Sequence, residues 1–255
     1  MLLAIISFLL LFPIAPFVHK LHQYVAVAFL IILLGTSLYN LVAFPFSETA
    51  PLKVFFYQSV NLDTGLNVVN LTGVPGYIDQ HIIPSLPSTW GQTIECSDSA
   101  TRRGLRTCQW KGLAPAVASK KMSDWLSFNA SLKAPGTALI RVKGMDTRSC
   151  RIYFNHPIKS IRIENTTGEI QSDYPIPSEG ITVLRLWSRT WNKEFSVTAA
   201  WQGKETLTGR VSCSWVETLE DRIPAFTEVL GFIPNWAIVT KADDALVEGM
   251  RTFSV

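Results

Sequence analysis

Charge is almost absent from the first 46 residues, where Lys20 is the single formally charged side chain. The other 22 of the chain's 23 basic residues, and all 20 acidic ones, lie in residues 47–255. Two materials are joined end to end, an apolar head and an ordinary polar body. In the body the two signs nearly cancel. No basic run with interleaved aromatics occurs, which excludes the electrostatic footprint of a nucleic-acid binder. Catalytic signatures are missing as well. There is no G-x-S-x-G, no H-E-x-x-H and no glycine-rich phosphate loop. No CxxC pair occurs, and of four histidines only His81 and His156 lie in the body, neither at ligand spacing. No metal or other cofactor is therefore expected in this chain. His156 precedes Pro157 and reads as a residue of a strand-to-strand turn. The adjacent carboxylates Glu220-Asp221 and Asp243-Asp244 read as solvated turn residues. A glycosidase pair is defined by a spatial separation that sequence does not carry.

The apolar head contains two candidate spans. Residues 25–44 form a 20-residue stretch without a charge, long enough as a helix to cross roughly 30 Å of hydrocarbon. Thr36, Ser37 and Asn40 are too few to make a polar face. Residues 2–18 are shorter and carry Pro13 and Pro16. A signal peptide is the rival reading there, but the segment has no basic n-region and no A-x-A-like site, and a second apolar stretch follows closely. A short spanning or re-entrant helix fits better. The turn between them holds His19, Lys20 and His22. The positive-inside bias places that turn in the cytosol, and so residues 47–255 on the opposite, luminal side of the bilayer. The two histidines read as interfacial anchors.

Two features of the body support a non-cytosolic compartment. All four cysteines, Cys96, Cys108, Cys150 and Cys213, lie there. Four reduced buried thiols are one reading; two disulfides in an oxidising lumen are the better one. Four cysteines allow three connectivities. The expected pairs are Cys96 with Cys108, which flank a basic turn at 101–104, and Cys150 with Cys213, which sit in two apolar strands. Three glycosylation sequons, at Asn70, Asn129 and Asn165, have no proline in the middle position.

Beyond Pro51 the hydrophobic period shortens. Residues 54–60, 66–72, 125–132, 138–144, 151–156, 158–164, 181–188, 195–201 and 206–215 read as strands. They are short, rich in β-branched and aromatic residues, and bounded by Gly, Pro, Asn or Asp. The imperfect alternation of Ile158, Ile161 and Ile163 with Lys159 and Arg162 points to a bulge near Ser160. One short helix is expected around 224–231. The fold class is membrane-anchored all-β: a membrane anchor at 1–46, then an antiparallel β-sandwich or jelly-roll domain at 47–255. Seven of the eight tryptophans lie between Trp90 and Trp215. Most read as core, yet Trp187, Trp191 and Trp201 are candidates for an aromatic binding surface.

Seven stretches, FPFS (44–47), GLNVVNLTG (65–73), TCQWKGLAP (107–115), DWLSFNAS (124–131), TRSCRIYFNHPIKSI (147–161), LRLWSRTW (184–191) and PNWAIVTKADDALVEGMRTF (234–253), occur in an order that resembles the C-terminal portion of the fungal vacuolar membrane proteases. These are multi-spanning M28-type zinc peptidases. The resemblance implies a vacuolar membrane location and kinship to a metallopeptidase. In that family the peptidase domain precedes the membrane block, so its zinc ligands and catalytic acid would fall before residue 1. No residue here matches one, and the chain alone is expected not to be an enzyme; zinc belongs to the related longer proteins. Three functions follow as alternatives. One is a non-catalytic luminal module that stabilises, docks or presents substrate to a peptidase domain carried elsewhere. Another is a glycan- or protein-binding module using exposed aromatics. The third is a hydrolase with an unrecognised site. The partners implied are the lipid bilayer and a peptidase domain, in a longer or a separate chain.

Overall fold

The computed structural model describes residues 23–118, 121–164, 176–202, 206–216, 222–242 and 245–255. The expected helix at 2–18, the Lys20 turn, Asn165 and the two carboxylate pairs lie outside them. The chain divides into two compact units, Met1–Phe46 and Ser47–Val255.

In the first unit, helix α1 spans Gln23–Val42, and all of its side chains are exposed. An apolar surface around the whole circumference suits lipid rather than water. The expected span at 25–44 is present two residues earlier, and it is the one candidate span among the described residues. The Thr36 hydroxyl is satisfied inside the helix, donating to the Ile32 carbonyl at 2.8 Å, so it does not interrupt the apolar surface.

The second unit is built on twelve strands: β1 (Leu52–Asn61), β2 (Asn67–Gly73), β3 (Glu95–Asp98), β4 (Arg106–Lys111), β5 (Leu126–Ala134), β6 (Thr137–Gly144), β7 (Ser149–Glu164), β8 (Ile181–Trp187), β9 (Glu194–Trp201), β10 (Thr208–Trp215), β11 (Ala237–Lys241) and β12 (Val247–Ser254). They form one sheet in the order β3-β4-β2-β1-β12-β10-β7-β9-β6-β5, with β11 beside β1 and β8 beside β7. The short helix α2 runs Pro224–Phe232, close to its expected place.

Three expectations need correction. The sheet is mixed, because β1 pairs in parallel with both β11 and β12. Hairpins enforce antiparallel neighbours only where the connection is short. β11 and β12 return to β1 from the far end of the chain, and no tight turn dictates their direction. Second, a single continuous sheet replaces the separate layers of a sandwich or jelly-roll. Third, the two segments at 151–156 and 158–164 are one strand, and His156-Pro157 lies inside it rather than in a turn. The first half of β7 pairs with β10 and β8, and the second half with β9. Its register slips between Tyr153 and Ile158 against β8, and between Ile158 and Ser160 against β9, the expected bulge. A strand that bends and changes partners turns a corner of the sheet. Proline fits there because it donates no ladder hydrogen bond.

Beyond the corner, β9, β6 and β5 curl back over β10 and β12. Phe128 of β5 meets Phe253 of β12 with ring centroids 5.2 Å apart, and Trp125 meets Trp215 at 5.4 Å. Ile140, Val142, Ile152, Ile158, Val197 and Val211 fill the space between and are fully buried. At the other end, α2 and the helical turns at 78–89 cover one face of β1, β2 and β4. Phe56 packs on Phe226 at 5.0 Å, and Ile78, Ile82 and Leu86 are fully buried. The four strands absent from the sequence reading are β3, β4, β11 and β12. They are short, or interrupted by charged residues and Gly249, and their apolar alternation is weak.

Both disulfides bridge residues directly opposite in neighbouring strands: Cys96 with Cys108 across β3–β4, and Cys150 with Cys213 across β7–β10. The Cα atoms are 4.1 Å and 4.0 Å apart. Gly144 makes room for the second, since a Cβ there would lie 3.0 Å from the Cys213 sulfur and 2.3 Å from Thr147. The bridges close loops of 12 and 63 residues. Replacing the Cys150–Cys213 pair by serine is expected to cost about 4 kcal/mol and the Cys96–Cys108 pair about 3 kcal/mol in the chain-entropy account. Denaturant midpoints of the two double variants are the measurement.

Candidate functional site: a tryptophan pocket at the strand ends

The β6–β7 turn and the β8–β9 loop meet where β7 begins and β8 ends. Asp146 and Asn192 both take the left-handed conformation, with φ of 51° and 57°, which Asp and Asn accept more readily than other non-glycine residues. The Asp146 amide donates to the Asn192 side-chain oxygen at 2.5 Å, and the Asn192 amide to the Thr147 carbonyl at 3.2 Å. The Ser188 amide donates to the Arg148 carbonyl at 3.0 Å. The Thr147 hydroxyl donates to the Ser214 carbonyl, and the Trp215 indole to the Met145 carbonyl at 3.0 Å. Each turn thus holds the other to the end of β10.

This braced corner encloses a pocket of about 400 Å³. Its walls include Trp187, Trp191, Arg148, Ser149, Thr147, Ser214 and Arg222. Trp187, Ser149 and Ser214 are register partners across β8, β7 and β10 and share one face of the sheet. Trp187 is 61% exposed and Trp191 46%. The Arg148 guanidinium lies over the Trp191 ring, 4.6 Å from its centroid. Ser214 is buried, and its hydroxyl has no hydrogen-bond partner among the described residues. Of the three tryptophans singled out from the sequence, the structure brings two together here. Trp201 ends β9 in the core, opposite Ile158 and 7% exposed. Arg148, Ser149, Ser214 and Arg222 escaped sequence reasoning, because strand register brings Ser149 and Ser214, and the packing of non-strand segments Arg148 and Arg222, beside the WSRTW segment.

The same sheet face continues as a polar layer. Arg151 stands opposite Arg185, and Arg210 lies over the Tyr153 ring at 4.2 Å. Tyr57 donates to the buried Glu248 carboxylate. Burial, reinforced by the negative charge of Glu248, pushes the Tyr57 hydroxyl far above the usual tyrosine range.

Of the sequons, Asn129 is exposed on β5, whereas Asn70 is half-buried on β2 with strands on both sides. Thr72 of that sequon bonds Thr107 at 2.8 Å. Among the described residues, no three His, Cys, Asp or Glu side chains come together as metal ligands, and all four cysteines are consumed by disulfides. The described residues assemble no zinc centre. His81 packs instead against Tyr77 and Trp236, both at 6.2 Å.

Residues 52–248 match the family model described as vacuolar membrane protease, C-terminal domain. Similar, longer proteins are named vacuolar membrane protease. One from Schizophyllum commune is 40% identical over 99% of this chain. Others from Aspergillus oryzae and Coccidioides posadasii are 38% and 40% identical, over 99% and 98% of the chain. The chain spans only 28%, 26% and 26% of these three relatives.

Removing the Tyr57 hydroxyl leaves a buried carboxylate without its donor. Tyr57→Phe is expected to destabilise the domain by about 1–3 kcal/mol at neutral pH, read from denaturant unfolding. With its folded pKa raised, Tyr57 keeps its proton where an unfolded tyrosine loses it, above pH about 10. Its contribution to stability is therefore constant below that pH and falls above it. An ultraviolet titration is expected to show one tyrosine of the wild type, missing from the variant, that ionises only as the protein unfolds.

Proposed function

The chain belongs to the vacuolar membrane protease family, whose C-terminal domain it carries, and from that premise we propose that residues 47–255 are a non-catalytic luminal module serving an M28-type zinc peptidase domain. The observation that carries this reading is the match of residues 52–248 to the C-terminal domain of proteins about four times as long. The module stabilises, docks or presents substrate to the peptidase region, and α1 holds it at the vacuolar membrane with the bilayer as its first partner. Any helix in residues 2–18 would add a second crossing. The two disulfides support a luminal side, since such bridges persist in oxidising compartments. A binding role is favoured by one specific feature, the pair of exposed tryptophans around the pocket.

Two measurements test this reading. The purified chain is mixed with a Schizophyllum commune vacuolar membrane protease lacking its own C-terminal quarter. A higher melting temperature or faster peptide turnover of that protease is the expected outcome, with no hydrolysis by the chain alone. No change in either, or hydrolysis by the chain alone, would overturn the module.

Topology is read independently. In intact vacuoles the 47–255 region is expected to resist added protease and to carry N-glycan at the exposed Asn129. Asn129→Gln would then remove one step of the endoglycosidase mobility shift. Digestion without detergent, together with an absent shift, would place the domain on the cytosolic side.

A further inference from the structure

We propose that the tryptophan pocket binds an extended peptide through a carboxylate. The proposal rests on the accessory reading above and names the ligand class of its binding site. Three observations carry it. Arg222 lines the pocket, and among the described residues its guanidinium makes no hydrogen bond or ion pair, while its backbone carbonyl is held by Ala116. Ser214, 3% exposed and lining the same pocket, has a hydroxyl without a partner among the described residues. Of the charged side chains that line the pocket, Arg148 and Arg222 outnumber Asp146, and the Arg222 guanidinium with the buried hydroxyl donor is complementary to one carboxylate, which accepts from both. Trp187 supplies an open aromatic wall for an adjoining apolar side chain.

The choice of a peptide over a sugar comes from the pocket's surroundings. Arg148 already lies over the Trp191 ring, so the two indoles do not offer a pair of open faces for pyranose stacking. Leading to the pocket is β8, which among the described residues pairs only with β7. Uncovered by any described strand, its outer edge presents backbone donors and acceptors, and Val183, Arg185 and Trp187 are exposed along it. A strand of this kind, without proline and with Arg185 as its one charged residue, takes up an extended chain by strand addition. The peptide then runs along β8 and delivers its carboxylate past Trp187 to Arg222.

Isothermal titration on the full chain in detergent is the test. The probes are an N-acetylated pentapeptide ending in phenylalanine with a free carboxyl group, its C-terminal amide, the amide with glutamate in the penultimate position, and chitotriose. The free acid is expected to bind about tenfold or more tightly than the plain amide, as for a charge-assisted hydrogen bond. Binding of the glutamate amide as well would mean that a side-chain carboxylate serves equally. Arg222→Gln should reduce the acid to the amide's affinity, and Trp187→Ala should weaken both peptides alike, with unchanged melting temperatures. Equal binding of acid and plain amide, indifference to Arg222→Gln, or chitotriose binding lost in Trp187→Ala while both peptides are silent would each overturn the proposal. The accessory reading fails separately. If the Arg222→Gln chain still stabilises or accelerates the truncated protease, the module stands without the peptide site. If peptides bind but the protease is unaffected, the site stands without the module.

Discussion

β7 belongs to two parts of the sheet at once, and most of the second unit depends on that. Its first half lies between β10 and β8, and its second half carries β9 and, through it, β6 and β5. The bend at His156-Pro157 is where one ladder is exchanged for another. A straight strand would leave β9, β6 and β5 as a flat extension with an apolar face open to water. Bent, the strand folds that face onto β10 and β12 and closes the core around Ile152, Ile158 and Val211. The Cys150–Cys213 bridge clamps β7 to β10 near the beginning of the strand, and Gly144 of β6 fits against its sulfur only because it lacks a side chain.

The pocket is a by-product of that corner. Ser149, Trp187 and Ser214 lie level because β8, β7 and β10 are in register, and the two turns above them brace each other through Asp146 and Asn192. Aromatic rings, guanidinium groups and a buried hydroxyl are thus brought to one place from three separated stretches of the chain, around 148, 187–191 and 214–222. The polar layer beside it follows from the same register. Tyr57, Glu248, Arg210 and Tyr153 come from four strands, yet they influence one another on one face.

Much was legible from residues alone, for local reasons. The charge-free run at 25–44 declared an apolar helix, because a 20-residue stretch has nothing else to offer water. Strands with clean alternation, such as β1, β6 and β9, were readable because one face of each packs inside. The connectivity of the cysteines followed from hairpin spacing for Cys96 and Cys108, and from placement in two apolar strands for Cys150 and Cys213. β3, β4, β11 and β12 were not legible: β3 is wholly exposed, and the others reach the sheet through charged or glycine-bearing segments.

Family resemblance, the apolar head, the β-rich body and the short helix before Phe232 were determined by the sequence itself, since periodicity, charge and motif order are properties of neighbouring residues. Tertiary structure alone decided the parallel pairing of β1 with β11 and β12, the merging of two strands through His156-Pro157, and the fate of the three tryptophans. Trp187 and Trp201 both close strands rich in apolar residues and look alike in sequence. One faces outward at the free end of β8 and the other lies inside the corner opposite Ile158. The direction of a side chain relative to a folded sheet depends on which strands flank it, and those partners come from distant parts of the chain.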